Sequence, residues 1–254
     1  MECLLILERD FMSVRIKEVS KFDLKSPILI EGFPGVGLVG TIAASYIVDK
    51  LKMEPLGYIV SEKFPPIAAV HNYVPLHPAR IYKSKKHNLV VLFSEFTIPM
   101  GVIHHLASEI TEWAREHKVS SIYSLGGISI EAEQKEVFGI ASTPEIAKKL
   151  EANGVKRIKE GATTGVSGVL LAECASKGFP AASLLAEAKP DFMDPLAAAM
   201  VIEKLRALIG VDIDTAELVN ESKTIESKIK DVMENAKVAH DHYKRVEGLG
   251  PMYQ

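Results

Sequence analysis

The 254-residue sequence predicts an α/β fold, a three-layer α/β/α sandwich around a mostly parallel sheet, followed by a C-terminal amphipathic or coiled-coil helix. Short apolar runs alternate with segments of helical periodicity along most of the chain. The runs are apolar throughout instead of alternating with polar residues, which is the pattern of parallel strands covered on both faces. After Gly210 the pattern changes to a heptad spacing that keeps one narrow seam on a helix.

Taken in order, Cys3–Leu7 and Pro27–Ile30 read as strands, and Val36–Leu51 as a helix with Ile42, Ala43, Tyr46, Ile47 and Leu51 on one face. Leu56–Val60 is a further strand. Ala68–Leu76 and Ala79–Tyr82 read as short strands or a hairpin, broken by Pro75 and Pro78. The unbroken apolar run Leu89–Phe93 is a strand, Val102–Lys118 a helix, and Ser121–Leu125 a strand that ends in Gly126-Gly127. Thr143-Pro144 places a cap before a proline at the first helical position, and Asn153-Gly154 stops that helix. Val166–Lys177 is a helix and Ala182–Ala186 a strand. Asp194-Pro195 opens a helix that Gly210 closes. Strand order is not readable from this pattern.

Beyond Gly210, Leu218, Ser222, Ile225, Ile229, Val232, Ala236, Ala239, Tyr243 and Val246 recur at alternating steps of four and three, with charged and polar residues between them. Such a seam fits a bundle between subunits, with Leu218, Ile225, Ile229 and Val232 as its apolar contacts. It also fits a helix lying on its own domain, and its narrowness favours the bundle. Gly248-Leu249-Gly250-Pro251 cannot continue a helix. The expected organisation is a sandwich domain over 1–210, an oligomerisation helix over 211–247 and a flexible tail over 248–254 that ends Met252-Tyr253-Gln254.

Composition narrows the function. The chain is 47% hydrophobic and 25% charged, which is globular, and its net charge of −3 argues against phosphate-backbone binding. No run is long and apolar enough to span a membrane, and the segment after Met1 lacks the basic start of a secretory signal. The expectation is a cytoplasmic protein that binds neither nucleic acid nor membrane. Cys3 and Cys174 sit in apolar runs and read as small core residues.

Gly35-Val36-Gly37-Leu38-Val39-Gly40 is a literal G-x-G-x-x-G between a strand and a helix. Phe33-Pro34 holds the glycines off the strand. Glu62 lies later than the roughly 20 residues expected of a ribose-binding acid. No second mononucleotide unit follows. Gly35 to Thr41 nearly matches a phosphate-binding loop but lacks its lysine. The favoured reading is a tight turn whose glycines permit close packing.

Gly161–Gly168 is a second glycine-rich turn before a helix. It is able to hold an anion at a helix N-terminus, although Thr164 or Ser167 as a cap is the simpler role. The histidines, among them His104, His105, His240 and His242, show no metal-ligand spacing, and Glu131, Glu133 and Glu136 read as a solvated acidic loop. No nucleophile, base and orienting group can be assembled, so the sequence offers no catalytic site and no cofactor.

The stretch Ile30-Glu31-Gly32-Phe33-Pro34-Gly35-Val36-Gly37-Leu38-Val39-Gly40 resembles the signature of the archaeal proteasome assembly chaperone family, which is related to the second eukaryotic assembly chaperone. Gly161–Glu187, with Gly165-Val166-Ser167-Gly168 and Gly178-Phe179-Pro180, is similar too. The resemblance implies an α/β sandwich, homo-oligomers, no cofactor, no catalysis and binding to α-subunits of the proteasome core particle. It gives Gly32, Phe33, Pro34, Gly35, Gly37 and Gly40 as the motif turn. Some family members end in a hydrophobic-Tyr-any motif that enters pockets between α-subunits, and Met252, Tyr253 and Gln254 match it position by position. The competing expectation is a small-molecule or nucleotide-binding enzyme that uses the turns at 35–40 and 161–168.

Overall fold

The computed structural model describes residues 14–129, 136–188, 190 and 193–220, together with Glu234 and Val238. One sheet of nine strands organises them, in the order β1-β3-β6-β7-β2-β8-β11-β9-β10. The strands are β1 (Val14–Glu18), β2 (Ile28–Gly32), β3 (Glu54–Ser61), β6 (Ala79–Ser84), β7 (Leu89–Ser94), β8 (Ser121–Ile128), β9 (Val137–Ala141), β10 (Lys156–Arg157) and β11 (Ala181–Glu187). A separate hairpin, β4 (Ala69–His71) with β5 (Val74–Leu76), stands apart from the sheet.

The parallel centre expected from unbroken apolar runs is β7-β2-β8-β11. Leu29, Ile30, Val90, Val91, Ile122, Leu125 and Leu184 on these strands are buried completely. Antiparallel strands flank that centre: β6, β3 and β1 on one side, β9 on the other.

Helices cover both faces. On one face lie α1 (Val39–Lys50), α3 (Pro144–Ala152) and α5 (Pro195–Ile209), around a core that includes Ile42, Ile47, Leu150, Ile202 and Leu205. On the other lie α2 (Ile103–Glu116) and α4 (Gly165–Ser176), around Leu106, Ile110, Trp113, Leu170 and Cys174. Two helix starts anticipated from their caps are formed as expected. Thr143 Oγ1 accepts from the Ile146 N–H at 3.4 Å, and Asp194 Oδ1 accepts from the Ala197 N–H at 2.9 Å. Gly210 closes α5 at φ 69°, a left-handed conformation that its lack of a Cβ permits.

Several details differ from the expectation. α1 begins at Val39, because Val36–Leu38 forms a 3₁₀ turn in which Gly37 takes φ 62°. β1, β9 and β10 were not anticipated. The strand expected at Cys3–Leu7 lies outside the described residues. The sandwich also runs past Gly210. Ile213 and Leu218 are buried in the domain's own core, and α6 (Ala216–Asn220) lies against α5. Tyr46 Oη donates to the Asp214 carbonyl at 2.8 Å, and Lys50 pairs with Glu217. The first residue of the heptad seam, Leu218, is therefore an anchor onto its own domain. Ile225, Ile229 and Val232 lie outside the described residues.

Candidate functional site

Gly32 to Gly40 carries the chain from the end of β2 into α1, and its glycines fit the space there. A Cβ on Gly40 would run into the Leu125 carbonyl oxygen, and one on Gly32 into the Gly40 carbonyl oxygen and the Ala44 methyl group. Gly37 is left-handed, and a Cβ there would lie 2.8 Å from that of Ala188. Gly37 and Gly40 are hemmed in by the protein itself, whereas Gly35 faces open space. The turn thus brings α1 hard against β2 and β8, the architectural role favoured from sequence.

Gly40→Ala is expected to cost about 1–3 kcal/mol, because the clash is with backbone that cannot move aside. At roughly 2–4 °C per kcal/mol for a domain of this size, the thermal midpoint should fall by several degrees. A midpoint within a degree of wild type would refute the packing role.

Close to this turn lies a cleft of about 920 Å³, at the carboxyl ends of β2, β8 and β11. This is the position where open α/β sheets ordinarily bind ligands. Its floor is set by register. Leu185 stands opposite both Gly126 and Phe138, and Phe33 follows β2 on the same face. Pro34, Gly35 and Val36 form one wall, and residues 157–167 form the other. The structure therefore brings together the two glycine-rich turns that lie far apart in sequence.

Beneath the first turn of α4 a row of polar side chains crosses three strands. Glu31 is paired in register with Ser124, and Ser124 with Ser183. Glu31 is fully buried. Its Oε1 accepts from the Phe33 N–H at 2.7 Å and from Ser167 Oγ at 3.2 Å, which ties β2, the glycine turn and α4 together. Among the described residues, Glu31 Oε2 and Ser183 Oγ have no hydrogen-bond partner. Burial pushes the Glu31 carboxyl above the usual carboxylate range, and the neighbouring Ser124 hydroxyl, the Phe33 N–H and Ser167 oppose that shift.

A carboxyl group raised in the folded state favours folding when protonated. That contribution is full below the unfolded value of about 4.3 and is lost as pH rises through the folded value. Gln at this position stays neutral and keeps an acceptor oxygen. Glu31→Gln should therefore gain stability relative to wild type over the pH window that opens at the unfolded value of about 4.3 and extends up to the raised folded value. Thermal unfolding of both proteins across that window checks this, and a constant difference would contradict it.

The model of the PAC2 family matches residues 29–233, a span that holds the glycine turn, the cleft and the sandwich core. The chain belongs to the PAC2 family. An uncharacterized protein of Methanocaldococcus jannaschii is 33% identical over 222 residues, covering 87% of this chain and 92% of that protein. Among solved structures, Pyrococcus furiosus PbaA, described as an archaeal homolog of proteasome-assembly chaperone, superposes with a TM-score of 0.80 at 32% identity. That match covers 89% of this chain and 99% of PbaA. Pyrococcus furiosus PbaB superposes at 0.73 with 24% identity, over 87% and 99%, a likeness of fold. These neighbours share the α/β sandwich read from this chain.

Within this PAC2-family chain, the motif residues Phe33, Pro34 and Gly35 meet the 161–167 segment around one cleft, while Gly32, Gly37 and Gly40 pack against neighbouring elements. Met252, Tyr253 and Gln254 lie outside the described residues. Glu31, Ser124 and Ser183 were not singled out from sequence. The signal available was a glutamate closing the apolar run Ile28-Leu29-Ile30, in a strand expected to be covered on both faces. No group of residues able to hold a metal ion occurs among the described residues, and no described helix is long and apolar enough to cross a membrane.

Proposed function

We propose that this chain is a proteasome-associated chaperone or cap, a binding protein that docks onto α-subunits of the core particle through Met252-Tyr253-Gln254. The observation that carries the reading is the likeness to PbaA, which extends over nearly the whole of both chains at 32% identity. The tail supports it. Met252 offers an adaptable apolar anchor, and Tyr253 a ring with a hydroxyl for one hydrogen bond. The carboxylate of Gln254 suits capture by backbone donors or a lysine. Residues 248–254, fully extended, reach at most ~25 Å, enough to leave a helix end and enter a nearby pocket.

In this reading the sandwich domain is a scaffold, and residues 221–247 form a helix that joins copies of the chain through Ile225, Ile229 and Val232. Glu234 and Val238 are helical, and both are exposed, as positions between seam residues should be. Several tails on one oligomer then engage one ring together, which raises avidity by roughly 10²–10⁴ over a single tail. The work is binding and not chemistry, and the setting is the cytoplasm.

The test mixes the full chain with proteasome α-subunits and follows co-elution by size exclusion. Co-elution that disappears when the last three residues are removed is the expected result. Equal co-elution of the truncated chain would exclude the tail as the docking element, and no co-elution of the full chain would exclude the proteasome as partner.

A further inference from the structure

The hairpin of β4 and β5 ends in a two-residue turn, Asn72-Tyr73, in which both φ angles are positive, at 49° and 67°. Such a turn ordinarily carries glycine at its second position, because a side chain there is strained. Tyr73 instead puts a whole ring into water. It is 100% exposed, and Val70 and Val74 beside it are more than half exposed. Strain kept at an exposed aromatic residue, among exposed apolar neighbours, points to a contact.

The base of the hairpin is fixed. Glu95, just past the end of β7, meets His71 of the hairpin at 2.8 Å and Arg80 of β6 at 2.6 Å through one oxygen. Phe64, on the segment that leads into the hairpin, packs edge-on against Phe96 with ring centres 4.9 Å apart. An aromatic knob on a fixed base loses little freedom when it docks.

The molecule also carries a hollow that suits this knob. The cleft of about 920 Å³ is lined by Phe138, Ile140, Ile158 and Leu185, and Thr163 and Thr164 on its wall offer hydroxyls to a tyrosine. Tyr73, being wholly exposed, does not fill the cleft of its own chain. β7, at the base of the hairpin, and β11, in the cleft floor, are three strand spacings apart, about 14 Å. Both features lie at the carboxyl end of the parallel strands, since β7, β2, β8 and β11 run the same way. Copies set side by side in the same sense can thus bring the hairpin of one to the cleft of the next.

We propose that Tyr73 of one copy seats in the cleft of a second copy, a head-to-tail contact in which each chain gives a hairpin and receives one. This rests on the reading of the chain as a homo-oligomer. One tyrosine buries roughly 150–250 Å², well under the ~800 Å² per partner of a stable interface. The contact therefore does not hold two chains by itself. It sets the neighbour of each copy in an assembly that the 221–247 helix joins.

Tyr73→Gly is the decisive variant. Asn-Gly is a favoured pair for this turn, so in the free chains of Ile225→Asp the added Tyr73→Gly change should not lower the melting temperature. In the full chain it should raise the dissociation constant of the assembly roughly tenfold or more, read by light scattering on dilution. Cross-linking locates the ring. Ala162 lines the cleft and is exposed, and Cys174 is buried. On a Cys3→Ser background, a chain with both Tyr73→Cys and Ala162→Cys should give cross-linked multimers with a short bis-maleimide, and either cysteine alone should give none.

A wild-type chain that scatters as 27.8 kDa would overturn the oligomer and this contact with it. An assembled chain whose two cysteines do not cross-link between copies, or whose dissociation constant is unchanged by Tyr73→Gly, would overturn the contact alone. Weaker binding to proteasome α-subunits in Tyr73→Gly, with the assembly unchanged, would place the hairpin on that partner and also overturn it.

Discussion

Ile225→Asp is expected to reduce the assembly to free chains of 27.8 kDa, as read by light scattering. Leu218 opens the heptad seam but is buried in its own domain's core, so in the proposed bundle the contacts between copies fall to the positions further along. Ile225, Ile229 and Val232 follow at steps of four and three with Glu, Lys and Asp between them, too apolar a stripe for a helix with water all round. An aspartate placed in such a seam would be a buried charge without a partner, at a cost of several kcal/mol. Leu218→Asp makes the contrast: it should unfold the sandwich itself, whereas Ile225→Asp should leave the domain's melting transition in place. An unchanged mass for Ile225→Asp would mean that this segment packs onto its own domain.

Tyr253→Ala is expected to weaken binding to α-subunit rings by about two orders of magnitude while thermal stability and oligomer mass stay unchanged. An aromatic anchor in a desolvated pocket contributes about 2 kcal/mol or more, a factor of roughly 30 for one tail. Where several tails bind together, each weakened contact compounds the next. Surface plasmon resonance against immobilised α-rings reads the effect. A change of less than threefold would remove Tyr253 from the interface.

The parts of this protein that were legible in sequence are those set by local chemistry. Thr143-Pro144, Asp194-Pro195 and Gly210 each mark a helix end through bonds or conformations confined to a few residues. Leu89–Phe93 reads as a strand because an unbroken apolar run suits a strand covered on both faces, and Ser121–Leu125 was anticipated despite its two serines. Val14-Arg15-Ile16-Lys17-Glu18 did not read as a strand, because β1 lies at the sheet edge, where polar residues are tolerated. Val137–Ala141 carries a glycine at its centre, whose missing side chain makes room for Leu150 and Val155, and it pairs through a register that no local pattern encodes.

The same distinction runs through the site. Both glycine-rich turns were visible as residues, and close packing was the favoured reading of the Gly35–Gly40 turn, while the tight contact at Gly32 came only with the structure. The meeting of the two turns around one cleft was not legible, since it depends on β2 and β8 lying side by side while the 157–167 segment folds over the ends of the strands. Glu31 was visible only as a residue of the family signature. Its burial arises because α4 covers its face of β2, a contact between segments 136 residues apart in sequence.

The most direct test of the proteasome reading adds one residue after Gln254 and changes nothing else. The extension leaves Met252, Tyr253 and the seam intact but moves the carboxylate out of reach of its expected donors. Affinity for isolated α-rings, measured beside the wild-type chain, should fall nearly as far as it does in Tyr253→Ala, with melting temperature and oligomer mass unchanged. Wild-type affinity in the extended chain would contradict docking through the chain end.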